Sequence, residues 1–242
     1  EYWGYALRIG IPIVPHYLSG IILNQGDRIM IDKMVGKTEV ALYGLAYSIG
    51  MLVQLFISGM NSALTPWMYS KIKKGDIRSM RKVLQLLSIV VVGIAVALML
   101  ISPELVLIFG SPKYREAVYV IPPVAASVFF IFIYNILSMP QFYYEKTQFL
   151  MVASMAAAGA NVVLNFIFIR LFGYIAAGYT TLACYMLYSV GHYIVSKRIL
   201  VNEGIQENLM NPGFLLACSV FLIGASIICN LIFPYRLLRY AI

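Results

Sequence analysis

Asp27 and Arg28 stand side by side in a stretch, His16 to Arg28, whose other residues are mostly apolar. A carboxylate can carry a proton or hold a cation. A guanidinium grips phosphate oxygens through paired hydrogen bonds. The same stretch offers His16, whose imidazole changes charge near neutral pH, and the amides of Asn24 and Gln25. Charges inside a bilayer cost about 2.5–3.5 kcal/mol each on insertion scales and are functional suspects by default. The run therefore has to be explained by whatever this membrane helix does.

On a helical wheel at about 100° per residue, Pro12, His16, Ser19, Gly20, Asn24, Asp27 and Ile31 fall on one face roughly 140° wide, with Arg28 at its edge. That face must look into protein or water. A seam of interhelical hydrogen bonds explains His16 and Asn24 equally well. Asp27-Arg28 reads either as a site or as a solvated anchor, since the pair lies close to the outer end of its helix.

Two further stripes share this character. Asn161 and Asn165 form an i, i+4 pair in a slim segment containing Ala156 to Ala160, which suits helix–helix glue. Thr181, Tyr185, Tyr188 and His192 share a face of the following helix, with His192 expected near its cytoplasmic end and solvated. The 18 tyrosines suit aromatic stacking on sugars but also interface belts. Cys184, Cys218 and Cys229 lie in apolar runs without metal-like spacing, so no metal or other cofactor is expected. Nucleophile-elbow, zincin, phosphate-loop and dithiol signatures are absent, and the scattered acids form no catalytic pair. An enzyme is not expected.

The elements that must position these residues are membrane helices. The chain of 242 residues is 61% hydrophobic and 12% charged, about half the charge of a soluble domain. Its apolar residues come in blocks too long for barrel strands. Seven spans are expected, at about 5–31, 40–69, 84–109, 117–138, 148–171, 174–196 and 213–233. The net charge of +8 comes from basic residues between spans, so membrane topology explains it and nucleic acid is not an expected partner. Lys71 to Lys82 holds six basic residues against one Asp, which places that loop in the cytoplasm with Lys197-Arg198 and the polar stretch to Asn211; the count over all loops is 10 basic residues inside and 8 outside. Prolines inside spans, Pro12, Pro15, Pro66 and Pro122-Pro123, predict kinks. The chain opens on Glu1 without a signal-peptide pattern and is expected to be a piece of a longer protein.

The ordered runs Gly10-Ile-Pro12-Ile-Val-Pro15-His16, Asn24-Gln-Gly-Asp27-Arg28-Ile-Met-Ile31 and Gly36-Lys-Thr-Glu39-Val-Ala-Leu-Tyr43-Gly44-Leu-Ala-Tyr47 resemble the start of the C-terminal lobe of bacterial polysaccharide repeat-unit flippases. These belong to the multidrug/oligosaccharidyl-lipid/polysaccharide exporter superfamily. Pro66 before the basic loop, Tyr114, Glu145-Lys146, Asn161 and Asn165, and Gly173-Tyr-Ile-Ala-Ala-Gly178-Tyr-Thr-Thr181 follow in the matching order, over roughly residues 4–200.

The resemblance implies an all-α integral membrane fold: a six-helix transporter lobe over residues 1–200, then a cytoplasmic linker and at least one additional transmembrane helix over 201–242. Tyr235 to Ile242 would enter a further span. It implies alternating access in the cytoplasmic (inner) membrane against a missing N-terminal lobe, with undecaprenyl-pyrophosphate-linked oligosaccharide as substrate and membrane lipid as surroundings. Arg28 would contact a phosphate oxygen. Asp27 would hold Arg28 or titrate during coupling. His16, Asn24, Asn161 and Asn165 would line the cavity, and Asp27-Arg28 could instead serve as an outer gate. A multidrug exporter or lipid II flippase shares the fold. A polysaccharide polymerase or ligase is disfavoured for want of large external loops, and a purely structural subunit is disfavoured by the polar stripe.

Overall fold

A computed structural model of the chain describes residues 2–234, with the side chains of Tyr5, Ala6, Arg8 and Ile9 left aside. It is helical from end to end: α1 (Tyr2–Met34), α2 (Lys37–Gly50), α3 (Leu52–Lys73), α4 (Ile77–Phe109), a 3₁₀ segment (Pro112–Val120), α5 (Ile121–Tyr143), α6 (Thr147–Phe172), α7 (Ile175–Asn202) and α8 (Pro212–Ile232). Among the described residues, five stretches are long and apolar enough to cross a membrane: Lys37–Lys73, Ile77–Phe109, Pro112–Tyr143, Thr147–Phe172 and Pro212–Ile232.

The expectation of seven apolar spans is corrected here. The helices expected as the first and sixth spans, α1 and α7, run 33 and 28 residues, roughly 50 and 40 Å, but are too polar to qualify on composition. The reason is their facing stripes, described below. The expected second span is two helices that meet at Met51, whose amide bonds Tyr47 O. The expected fourth opens with the 3₁₀ segment, after which Pro122-Pro123 occupy the first turn of α5 and leave it unkinked there. Tyr235 to Ile242 lie outside the described residues.

The centre of the bundle is α5. Ile121 to Ile133 are all buried, because α7, α4, α3, α2 and α8 pack around this helix. A helix apolar on every side must be enclosed by protein or lipid, and here protein does it. By contrast α8 buries only Leu222, Ser226 and Cys229. It is held by Asn230, whose Nδ2 donates to Tyr119 O at 3.1 Å and to Tyr179 Oη at 2.5 Å.

One end of the bundle collects the basic loops. Arg81 meets Glu207 at 3.7 Å, and Tyr69 meets Tyr143 edge to face at 5.4 Å between ring centres. At the same end Asp76 caps α4, accepting from Ser79 N at 3.2 Å and from Lys71 Nζ at 2.6 Å. The bond from Lys71 holds this exposed carboxyl below its ordinary range. At the opposite end Gly173 leaves α6 with φ 75°, a conformation that L side chains resist. That turn lets α7 begin at Ile175 and folds residue 180 back against residue 165.

Candidate functional site

Asp27 is fully buried, and no ion pair reaches it among the described residues. Three neutral side chains from three helices solvate its carboxylate. Tyr43 Oη of α2 donates to Oδ2 at 2.5 Å, Thr181 Oγ1 of α7 donates to Oδ2 at 2.6 Å, and Asn165 Nδ2 of α6 donates to Oδ1 at 2.5 Å. Asn165 is itself held by Asn161 Oδ1 at 3.1 Å and by the hydroxyl of Thr180. The local sequence explains the convergence. The 161/165 spacing puts both amides on one face of α6, and α6 packs along both α1 and α7.

Arg28 does not pair with its neighbour, which corrects the expectation that Asp27 holds it. Consecutive residues point about 100° apart, and Arg28 turns away. Its Nη1 donates to Gln25 Oε1 at 3.2 Å, and its guanidinium lies 5.2 Å from the centre of the Tyr47 ring. Its Nε is buried without a partner. The solvated-anchor alternative also fails for Asp27, which solvent does not reach, while Arg28 is half-buried.

The polar stripes of α1 and α7 meet through long side chains. Tyr47 Oη donates to Asn24 Oδ1 at 2.8 Å, Tyr185 Oη donates to the same oxygen at 3.4 Å, and Tyr188 Oη lies 3.1 Å from His16 Nδ1. Between these rungs opens a cavity of about 700 Å³. His16, Asn24 and Arg28 line it from α1, Tyr47 from α2, and Tyr134, Tyr185 and Tyr188 from α5 and α7. Arg28 is the sole Lys or Arg on its wall among the described residues. Asp27, Asn161 and Asn165 do not line it; they form the buried cluster behind the wall.

The sequence reading placed His192 in solvent. It is fully buried, packed on Tyr188 and Tyr134, with Nδ1 2.7 Å from Gln141 Nε2. Within the slim segment of α6, Ala157 and Ala158 are buried, but Gly159 faces open space and does not serve close approach. Tyr43, Thr180, Tyr134 and Gln141 were missed as site residues. Tyr43, Tyr134 and Thr180 are polar at a single atom and Gln141 carries one amide, each in an otherwise apolar run, so the partner on another helix is the only signal.

The geometry can do two separate things. The cavity can hold an anion against Arg28 with aromatic and amide surfaces beside it. The buried carboxylate can change its charge only by taking up a proton or a cation.

Comparison with known proteins agrees with a transporter. A protein of the Lsg locus of Haemophilus influenzae (strain Rd) is 30% identical over 152 residues, 60% of this chain and 36% of that protein. A second protein of the same organism, described as a membrane protein, matches with the same identity and coverage. The chain thus spans about a third of the length of the curated relatives it matches. No solved structure matches. The MatE family profile matches residues 12–167, a stretch that holds Asp27, Arg28 and the asparagines of α6, and the chain belongs to this family of membrane transporters.

Proposed function

We infer that this chain forms the C-terminal lobe of a transporter that flips an undecaprenyl-pyrophosphate-linked oligosaccharide across the cytoplasmic membrane by alternating access. Residues 1–200 make the lobe, and residues 201–242 add a cytoplasmic linker and a further helix. A second lobe of the same protein closes the cavity from the other side.

One observation carries this reading. The cavity wall presents a cation, Arg28, while Asp27, the one buried acid among the described residues, is kept behind it. An arginine on a cavity wall favours a phosphate or pyrophosphate, which it can grip through two N–H donors. The tyrosine faces and the Asn24 and Asn135 amides beside it suit a sugar. A cationic drug would need an acid on the wall, and the wall carries none among the described residues.

Asp27 supplies the coupling. A lone buried carboxylate costs several kcal/mol, so its cluster favours a state in which a proton or small cation has neutralised it. Loading and release tie the helix arrangement to an ion gradient, because α1, α2, α6 and α7 all contribute to the same carboxylate.

The test is complementation of surface-polysaccharide export in cells lacking the full-length protein. Arg28→Ala at normal membrane level should lower export roughly ten- to hundredfold. Export at the wild-type rate removes Arg28 from the substrate path, and drug resistance conferred by the wild type would favour the multidrug alternative.

A further inference from the structure

The last helix leaves a gap. It packs on α5 and α4 but hardly touches α7, although α7 precedes it in the chain. The space between α7 and α8 is a groove of about 280 Å³. Phe129, Phe130 and Ile133 of α5 form its floor and are buried. Val190 of α7 and Leu216 of α8 stand on its rims, 55% and 66% exposed, so the groove opens outward from the bundle. It shares no lining residue with the Arg28 cavity and lies on another side of α5.

The groove is apolar even where serines line it, because their hydroxyls turn into the backbone. Ser189 Oγ donates to Phe130 O and to Tyr185 O, each at 2.9 Å, and Ser219 Oγ donates to Leu215 O at 2.7 Å. The lining runs from Met186 to Tyr193 on α7 and from Pro212 to Ser219 on α8, roughly 10 Å along each helix. Volume and length together give a mean cross-section of roughly 30 Å². A helix with its side chains is about 10–12 Å across, roughly 80–110 Å², and does not enter such a slot. A single hydrocarbon chain does. Left empty, the slot would deprive three helices of dispersion contacts.

A charge stands at one end. Met186, Val190, Tyr193 and Lys197 recur at steps of four, three and four residues, which puts Lys197 on the groove's own face of α7, one turn beyond Tyr193. This is the end of the bundle that carries the basic loops, and α8 begins there. Lys197 enters no ion pair among the described residues. Membrane sidedness accounts for a basic residue at this end, but not for its place on this face.

We propose that the groove between α5, α7 and α8 binds one anionic phospholipid, with an acyl chain over Phe129, Phe130 and Ile133 and the headgroup phosphate on Lys197. The lipid takes the place of the missing contact between α7 and α8. A zwitterionic lipid fits the same slot but brings no net charge for Lys197 to meet. Lipid tails gain nothing here by leaving water, so fit and charge are what distinguish this molecule from its neighbours in the bilayer. The site does not depend on the substrate assigned above.

The test is native mass spectrometry of the full-length protein, released from detergent micelles that contain phosphatidylglycerol or phosphatidylcholine with identical chains. Wild type should retain one phosphatidylglycerol in preference to phosphatidylcholine. Lys197→Gln should weaken phosphatidylglycerol binding roughly fivefold, the factor of one basic residue at an anionic surface, and leave phosphatidylcholine unchanged. Ser219→Phe fills the groove from α8 and should lose the bound lipid; where it does not fold, Val190→Phe fills the groove from α7. Equal retention of the two lipids by wild type overturns the proposal, as does retention that the filled groove leaves unmoved. Wild type without retained lipid, the outcome expected where another part of the full-length protein covers the groove, overturns it too. Export is not read, so the result stands apart from the substrate reading.

Discussion

The hydroxyl of Thr181 donates to Asp27 Oδ2 at 2.6 Å across 154 residues of sequence. With Tyr43 and Asn165 it makes the Asp27 carboxylate the place where four helices are tied together. Any change in the charge of that carboxylate changes the strength of three interhelical bonds at once. Bonds to a charged acceptor contribute about 1.5–3 kcal/mol each, against about 1 for neutral ones.

Asp27→Asn keeps the shape of the side chain and removes its capacity to change charge. The full-length variant should reach the membrane at near-normal level and lose ion-driven export. Asp27→Ala should also lower the detergent melting temperature, because Tyr43, Asn165 and Thr181 lose their acceptor at about 1–3 kcal/mol each. Wild-type export by Asp27→Asn would falsify the coupling role.

Arg28 stacks near Tyr47 and presents an unpartnered Nε, so its replacement should affect substrate and not folding. A lost charged hydrogen bond of about 1.5–3 kcal/mol corresponds to roughly a ten- to hundredfold fall in export. Arg28→Lys should recover part of it, since an ammonium keeps the charge but not the paired geometry. Wild-type export by Arg28→Lys would mean that the fork of donors is not used.

Gly50 is the joint at which α2 gives way to α3 beside the α5 pillar. A Cβ built there would stand 2.6 Å from Val124 Cγ1 and 2.9 Å from its Cβ. Gly50→Ala should therefore destabilise by about 1–3 kcal/mol through overpacking. Val124→Ala should relieve most of that in the double variant, as contacting residues couple. Thermal unfolding of the four proteins reads the coupling directly, and additive effects would show that the joint shifts to make room.

Asp76 gives the basic end a pH dependence. Its folded carboxyl titrates below its ordinary value near 3.8 because Lys71 bonds it. A depressed acid stabilises the fold above its unfolded pKa, and that contribution is lost as pH falls through the folded value. Wild type should lose melting temperature below about pH 4, whereas Asp76→Asn should start lower and fall less over the same window. Parallel curves would remove the Lys71 bond from the account.

Most of the helices were legible because hydrophobic blocks and turn residues mark them. The Lys74–Asp76 turn, Gly173 and Asn211-Pro212 stand at real ends. Two features escaped for physical reasons. Residue spacing locates a stripe but not the neighbour it faces, so Asp27 was paired with Arg28 beside it when its partners come from positions 43, 165 and 181. His192 was placed by its distance from the end of a span, a measure blind to the burial that α5 imposes through Gln141 and Tyr134. Asn24 and His16 were within reach of the wheel, because their partners repeat at helical spacing on α7.

The polarity of α1 also sets the order of assembly. Within this lobe α1 is made before its partners: the asparagine and threonine that satisfy Asp27 follow 138 and 154 residues later. At about 5–20 residues per second that is a wait of roughly 8–30 s. During it Asp27, near the end of α1, carries the cost of a charge in the membrane without two of its three donors. Tyr43, only 16 residues on, is the single partner available early. The α1–α2 hairpin is thus the unit that can leave the insertion machinery, and α1 settles into the bundle only when α6 and α7 arrive.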